Sequence, residues 1–96
     1  MLVVDAKVYF KKTSEGGLCK DGVSGMQPSF SVTGDLIACK VNGKNEITSF
    51  VLGKEYNVSI ELFYGEIFAE EIKQGYHFSL NIGGKKFAEG VVLNAR

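Results

Sequence analysis

Few residues in this chain are of a type that could do chemistry, and their spacing does not bring them together. His77 is the sole histidine, and Cys19 and Cys39 are the only cysteines. A thiol nucleophile needs a base or a positive charge within hydrogen-bond reach, and nothing in the spacing of Cys19 and His77 requires that proximity. Zinc takes about four ligands from Cys, His and carboxylates. With no Cys-x-x-Cys and one histidine, no metal site is expected. Glu70-Glu71 is a carboxylate pair, but adjacent side chains diverge on either a strand or a helix, so the pair reads as a solvated face. Gly83-Gly84-Lys85-Lys86 has the flavour of a phosphate loop. It lacks the earlier glycine, the hydroxyl residue and the following helix that such a loop needs, and a hairpin turn accounts for it. The expectation is a non-enzyme with no catalytic residue, no metal and no cofactor.

Charge narrows the partners further. The chain has 96 residues, with 11 basic and 11 acidic side chains that cancel. A neutral chain lacks the long-range field that concentrates proteins on phosphate backbones or anionic lipid. Lys11-Lys12, Lys40 with Lys44, and Lys85-Lys86 are basic pairs that would make an RNA-facing patch only by converging; otherwise they solubilise strand ends. Lys11, Lys12, Lys85 and Lys86 are the candidate RNA-facing set. No basic region followed by a long apolar stretch opens the chain, and no apolar run approaches the roughly 18 residues that span a bilayer. The expected location is the cytoplasm, with both thiols reduced and no membrane partner. Asn57-Val58-Ser59 matches a glycosylation acceptor, which has no consequence in that compartment. Met1 and the barrel-like end at Arg96 favour a complete protein.

The elements that would position these residues are strands. Val4, Ala6, Val8 and Phe10 alternate with Asp5, Lys7, Tyr9 and Lys11, so the two sets face opposite sides of a strand over 3–12. Ser14-Glu15-Gly16-Gly17 breaks it, and residues 18–28 read as an irregular loop, long enough to be a binding element or a crossover covering one end of the core. Alternation resumes from Phe30 to Val41, with Gly34 marking a bulge or bend. Asn42-Gly43 is a hairpin signal, residues 46–52 a short strand, and Gly53-Lys54 a turn. Residues 56–62 alternate most clearly. Residues 67–73 have room for one or two helical turns before Gly75. Residues 76–82 and 85–93 are strands joined at Gly83-Gly84. Six or seven strands and no long helix in 96 residues predict a single all-β domain over 1–96, a closed barrel or sandwich. Closure would remove the edges that invite aggregation.

Ala6-Lys7-Val8-Tyr9, Glu15-Gly16-Gly17 and Pro28-Ser29-Phe30 resemble the opening of the C-terminal barrel, the third domain, of elongation factor Tu. Asn57-Val58-Ser59-Ile60-Glu61-Leu62, Gly75-Tyr76-His77-Phe78-Ser79-Leu80, Gly83-Gly84-Lys85 and Gly90-Val91-Val92 resemble its final three strands, in the same order. The resemblance spans about residues 4–93 and implies a closed six-stranded antiparallel β-barrel. The family's tRNA-facing loop is rich in basic residues. Here that loop reads Leu18, Cys19 and Lys20, with Gln27 before Pro28; Asn81-Ile82 precedes Gly83, and Glu89 precedes Gly90. The resemblance therefore implies the scaffold without its tRNA surface, and the nucleotide-binding segment of that factor has no counterpart. The expected function is a stand-alone module that binds a protein linked to translation, through the loop (Leu18, Cys19, Lys20, Met26, Gln27) or the aromatic segment (Phe63, Tyr64, Phe68). Weak RNA or tRNA binding is the alternative. A small-molecule role inside the barrel is disfavoured, because a barrel this narrow is filled by its own side chains.

Overall fold

The computed structural model describes residues 1–95. The alternating residues of the first strand, Leu2–Phe10 (β1), separate as their period requires. Val4, Ala6, Val8 and Phe10 are fully buried, while Asp5, Lys7 and Tyr9 lie on the outer side. The remaining strands are Gly22–Val23 (β2), Ser29–Val32 (β3), Asp35–Gly43 (β4), Ser49–Phe50 (β5), Glu55–Leu62 (β6), His77–Ile82 (β7) and Lys85–Ala95 (β8). Six of them close a barrel in the order β1-β6-β4-β3-β7-β8, and β2 pairs with β5 in a separate two-stranded sheet. Every ladder is antiparallel. The expected closed six-stranded antiparallel barrel is therefore present. Among the described residues the strand count is eight rather than six or seven, because two-residue strands leave no alternation to read.

The ladders are unequal. β1 pairs with β6 from Leu2↔Leu62 to Tyr9↔Glu55, and with β8 from Val4↔Ala95 to Phe10↔Ala88. The seam between β3 and β7 holds only Ser29↔Asn81 and Phe30↔Leu80. Side chains carry it further: the Ser79 amide donates to Ser31 Oγ at 2.8 Å, and the Tyr76 hydroxyl donates to the Ser31 carbonyl at 2.9 Å. These bonds satisfy backbone groups that a continued ladder would otherwise pair.

Turn chemistry matches the sequence at one hairpin and departs from it at another. Gly83 and Gly84, at φ 58° and 79°, join Ile82 to its partner Lys85, as a primed turn demands. Thr33 and Gly34, at φ 46° and 85°, do the same between Val32 and Asp35, so Gly34 lies in the turn from β3 to β4 rather than in a bulge within a strand. Asn42-Gly43 is not the hairpin it resembles. Both residues continue β4 and pair with Ser59 and Val58. The chain reverses later, at Asn45 (φ 54°) and Glu46 (φ 68°), where the Ile47 amide donates to the Lys44 carbonyl at 3.1 Å. Gly43 serves close approach instead, since a Cβ there would lie 2.3 Å from the Ile47 carbonyl oxygen. The strand expected over 46–52 shrinks to Ser49–Phe50.

Both mouths of the barrel are plugged. At one, buried Phe50 of β5 stacks on Phe10 with ring centroids 4.6 Å apart, and Tyr56 meets it edge-on at 5.4 Å. At the other, buried Ile72 and half-buried Phe68 join the core, and Phe30 stacks between Phe78 at 4.3 Å and Tyr76 at 6.2 Å. Such aromatic contacts add about 0.5–1.5 kcal/mol each beyond the area they bury. Among the described residues no buried side-chain nitrogen or oxygen lacks a partner. No helix among them is long and apolar enough to cross a membrane.

Candidate functional site

The segment that plugs the second mouth has two sides of different character. A 3-10 turn, Gly65–Phe68, follows β6, and helical turns continue it. The Ala69 amide donates to the Glu66 carbonyl at 3.2 Å, and the Ile72 amide to the Phe68 carbonyl at 2.9 Å. The helical turns expected over 67–73 thus begin two residues earlier. Gly65, Phe68 and Ile72, spaced as one helical face, turn inward. Gly65 is required there, because a Cβ would sit 2.7 Å from Leu62 Cβ and 2.8 Å from Leu2 Cβ. The other face carries large apolar groups into solvent: Tyr64 is 67% exposed, Ile67 78% and Phe63 37%, with Met1 alongside at 62%. Glu66 pairs with the N-terminal ammonium, and Glu70 and Glu71 are exposed.

The loop over 18–27 lies at the opposite mouth and is tied into the fold. Met26 bridges to Val41, whose amide donates to the Met26 carbonyl at 2.9 Å. Thr13 Oγ1 donates to the Leu18 carbonyl at 2.6 Å, and Asp21 Oδ1 accepts from the Leu52 amide at 3.1 Å. Leu18 and Met26 are half-buried against the core, whereas Cys19, Lys20 and Gln27 are exposed. The expected partner-binding residues therefore fall into two groups at opposite mouths. Of the aromatic trio, Phe68 turns inward while Phe63 and Tyr64 remain outside. Ile67 and Met1 complete the exposed patch and were not singled out from sequence. The spacing of Gly65, Phe68 and Ile72 was the available signal, since it leaves Ile67 on the outer face.

The structure does bring the four candidate lysines to one mouth. The Lys11 amide donates to the Phe87 carbonyl at 3.1 Å, next to the start of β8. Lys85 Nζ donates to the Gly17 carbonyl at 3.0 Å, and Lys86 Nζ lies 3.6 Å from Glu89. Lys12 packs its stem close to Gly53. Glu15 answers this charge: its carboxylate accepts from the Tyr9 hydroxyl at 2.6 Å and from the Lys12 amide at 2.8 Å. The Tyr9 bond, then the Lys12 amide, hold the Glu15 carboxyl below its ordinary range. Lys44 is elsewhere, paired with Asp5 on the outer wall.

That outer wall carries a shallow groove of about 210 Å³ lined by Lys7, Glu55, His77, Glu89, Gly90 and Val91. Register explains the grouping: Tyr9 pairs with both Glu55 and Glu89, and Val91 with both Lys7 and His77. The groove is open and carries both signs of charge, and it falls short of the roughly 300 Å³ at which small-molecule pockets begin. Cys19 sits near the Gly17–Lys85 contact, and His77 starts β7 at the far end of its ladder with β8. The structure does not bring the two together. No group of three or more potential metal ligands occurs among the described residues.

The cysteines differ sharply. Cys39 is buried, with Sγ 3.4 Å from the Pro28 carbonyl, and burial pushes its thiol up to about 12. The folded protein keeps that thiol protonated where an unfolded one ionises, so this group's contribution to stability is full below about pH 9 and falls as pH rises toward 12. A disulfide-exchange reagent at pH 8 is expected to consume one thiol per native chain quickly, at exposed Cys19, and the second only after denaturation. Rapid release of both from native protein would contradict the burial of Cys39.

Comparison with protein-family models and with curated proteins returns no match for this chain.

Proposed function

We propose that this protein is a non-catalytic, cytoplasmic interaction module, similar in scaffold to the third domain of elongation factor Tu, that binds a protein partner linked to translation. The observation that carries the reading is the exposed apolar patch of Phe63, Tyr64 and Ile67 on an otherwise well-filled barrel. Ile67, at 78%, is the most exposed large apolar residue, and it lies beside two exposed aromatics. Contiguous patches of this kind mark interaction sites, and aromatic anchors dominate interface energetics. The translation link rests on the resemblance alone, and a fold by itself does not specify function.

The test is site-specific photocrosslinking in a cell lysate. A photoreactive amino acid at position 67 is expected to give discrete protein adducts, and the same group at position 20, on the opposite mouth, none. Absence of protein adducts at position 67, or the same adducts at both positions, would remove this reading.

The convergence of Lys11, Lys12, Lys85 and Lys86 favours RNA binding as a second reading. Each phosphate contact contributes about −0.7 to −0.9 to the slope of log affinity against log salt. Retention of labelled tRNA that falls steeply with salt, and is lost on changing those lysines to glutamine, would promote it. Salt-independent retention would dismiss it.

A further inference from the structure

The cap that closes the second mouth presents more than an apolar patch. With Gly65, Phe68 and Ile72 turned inward, the helical period places Glu66, Ile67, Glu70 and Glu71 on the outer side. All four are exposed. Lys73 is the only lysine or arginine between Phe63 and Gly75. The chain is neutral overall, yet this surface is locally acidic around its hydrophobic centre.

We propose that this cap receives a basic amphipathic segment of a partner protein, its apolar side seated on Tyr64 and Ile67 and its Lys or Arg side chains beside Glu66, Glu70 and Glu71. The inference rests on the protein-interaction reading and assigns that partner's chemistry. Charge complementarity selects the occupant. Phosphate backbones and anionic lipid surfaces are repelled by the carboxylates. A second copy in a two-fold contact would set the same acidic rim against itself, and like charges across an interface oppose association. Size points the same way. The exposed apolar groups here are four, Met1, Phe63, Tyr64 and Ile67. A standard interface buries about 800 Å² per partner. The surface therefore suits one or two anchor side chains of a short segment, with the carboxylates steering its approach.

The test uses two labelled synthetic helical peptides with one leucine pattern and about four turns each, one with lysines on its polar face and one with glutamates. Fluorescence anisotropy with the full chain is expected to show binding of the lysine peptide, weakened by salt, and at least tenfold weaker binding of the glutamate peptide. Ile67→Ser is expected to weaken the lysine peptide about tenfold, the loss typical of a modest anchor. Glu70→Lys with Glu71→Lys is expected to weaken it by a similar factor and to strengthen the glutamate peptide. All three positions are exposed, so unchanged thermal melts check that these variants fold. The proposal is overturned if neither peptide binds, if both bind alike, if the substitutions leave the lysine peptide unaffected, or if sedimentation shows the chain pairing with itself through Ile67. Peptide failure with protein adducts persisting at position 67 would overturn the partner's chemistry alone. Loss of the adducts would overturn the broader reading.

Discussion

Replacing Phe10 by alanine is expected to lower the melting temperature by more than about 10 °C. Phe10 ends β1 fully buried and joins three aromatic neighbours: Phe50 stacked at 4.6 Å, Tyr56 edge-on at 6.1 Å and Phe87 tilted at 6.3 Å. Truncating a buried Phe costs about 3–5 kcal/mol, through lost transfer energy and the cavity left behind. Domains of this size shift by roughly 4–8 °C per kcal/mol, and their whole stability is on the order of 5–15 kcal/mol. The loss has an extra route here, because Phe10 is also what Phe50 rests on. Without it, the β2–β5 sheet loses its anchor in the first mouth. Tyr64→Ala, at an exposed position, is expected to move the melt by no more than a few degrees, since exposed substitutions stay within about 0.5 kcal/mol. Calorimetry on the two variants decides the matter. Equal melts would mean that the mouth at Phe10 is not closed as described.

The second large effect separates two neighbouring glycines. Gly17→Ala is expected to cost about 3 kcal/mol, the upper part of the range for overpacking, and Gly16→Ala about 1 kcal/mol, the usual penalty of a left-handed residue. Gly16 caps the Thr13–Glu15 turn at φ 95°, with open space where a Cβ would go. Its requirement is conformational. Gly17 is buried, and a Cβ there would stand 2.0 Å from the Lys11 carbonyl oxygen and 2.8 Å from that of Lys12. Those atoms are backbone and cannot swing aside. The Gly17 amide also donates to the Lys12 carbonyl at 2.9 Å, the Lys11 amide donates to the Phe87 carbonyl at 3.1 Å, and the Gly17 carbonyl accepts from Lys85. Relieving the clash would therefore pull the turn off the start of β8. Urea midpoints at unchanged slope report the two costs. A smaller loss at Gly17 than at Gly16 would show that the turn yields more readily than its hydrogen bonds indicate.

The sequence by itself determined the material of the barrel. The alternation in β1 and β6 identified the buried faces of those strands, and Gly83-Gly84 identified the hairpin between β7 and β8, because side-chain direction and turn dihedrals are local properties. In β7 the alternation holds at Phe78 and Leu80 but fails at Ser79, which is buried, and at Ile82, which is 47% exposed beyond a register shift after Leu80. What tertiary structure decided depends on pairing between distant parts of the chain. Asn42-Gly43 reads locally as a turn, yet β6 claims both residues for its ladder, and the turn moves to Asn45 and Glu46. Gly22–Val23 and Ser49–Phe50 become strands only because they meet each other across the first mouth. A two-residue strand has no period of its own. The lysines of positions 11, 12, 85 and 86 share a mouth because β1 and β8 are antiparallel neighbours, which no local spacing encodes. The division of 63–74 into an inward Phe68 and an outward Ile67 was decided when the segment had to plug the second mouth. Burial of Gly65, Phe68 and Ile72 sets that rotation, and the exposed patch is what remains on the other side.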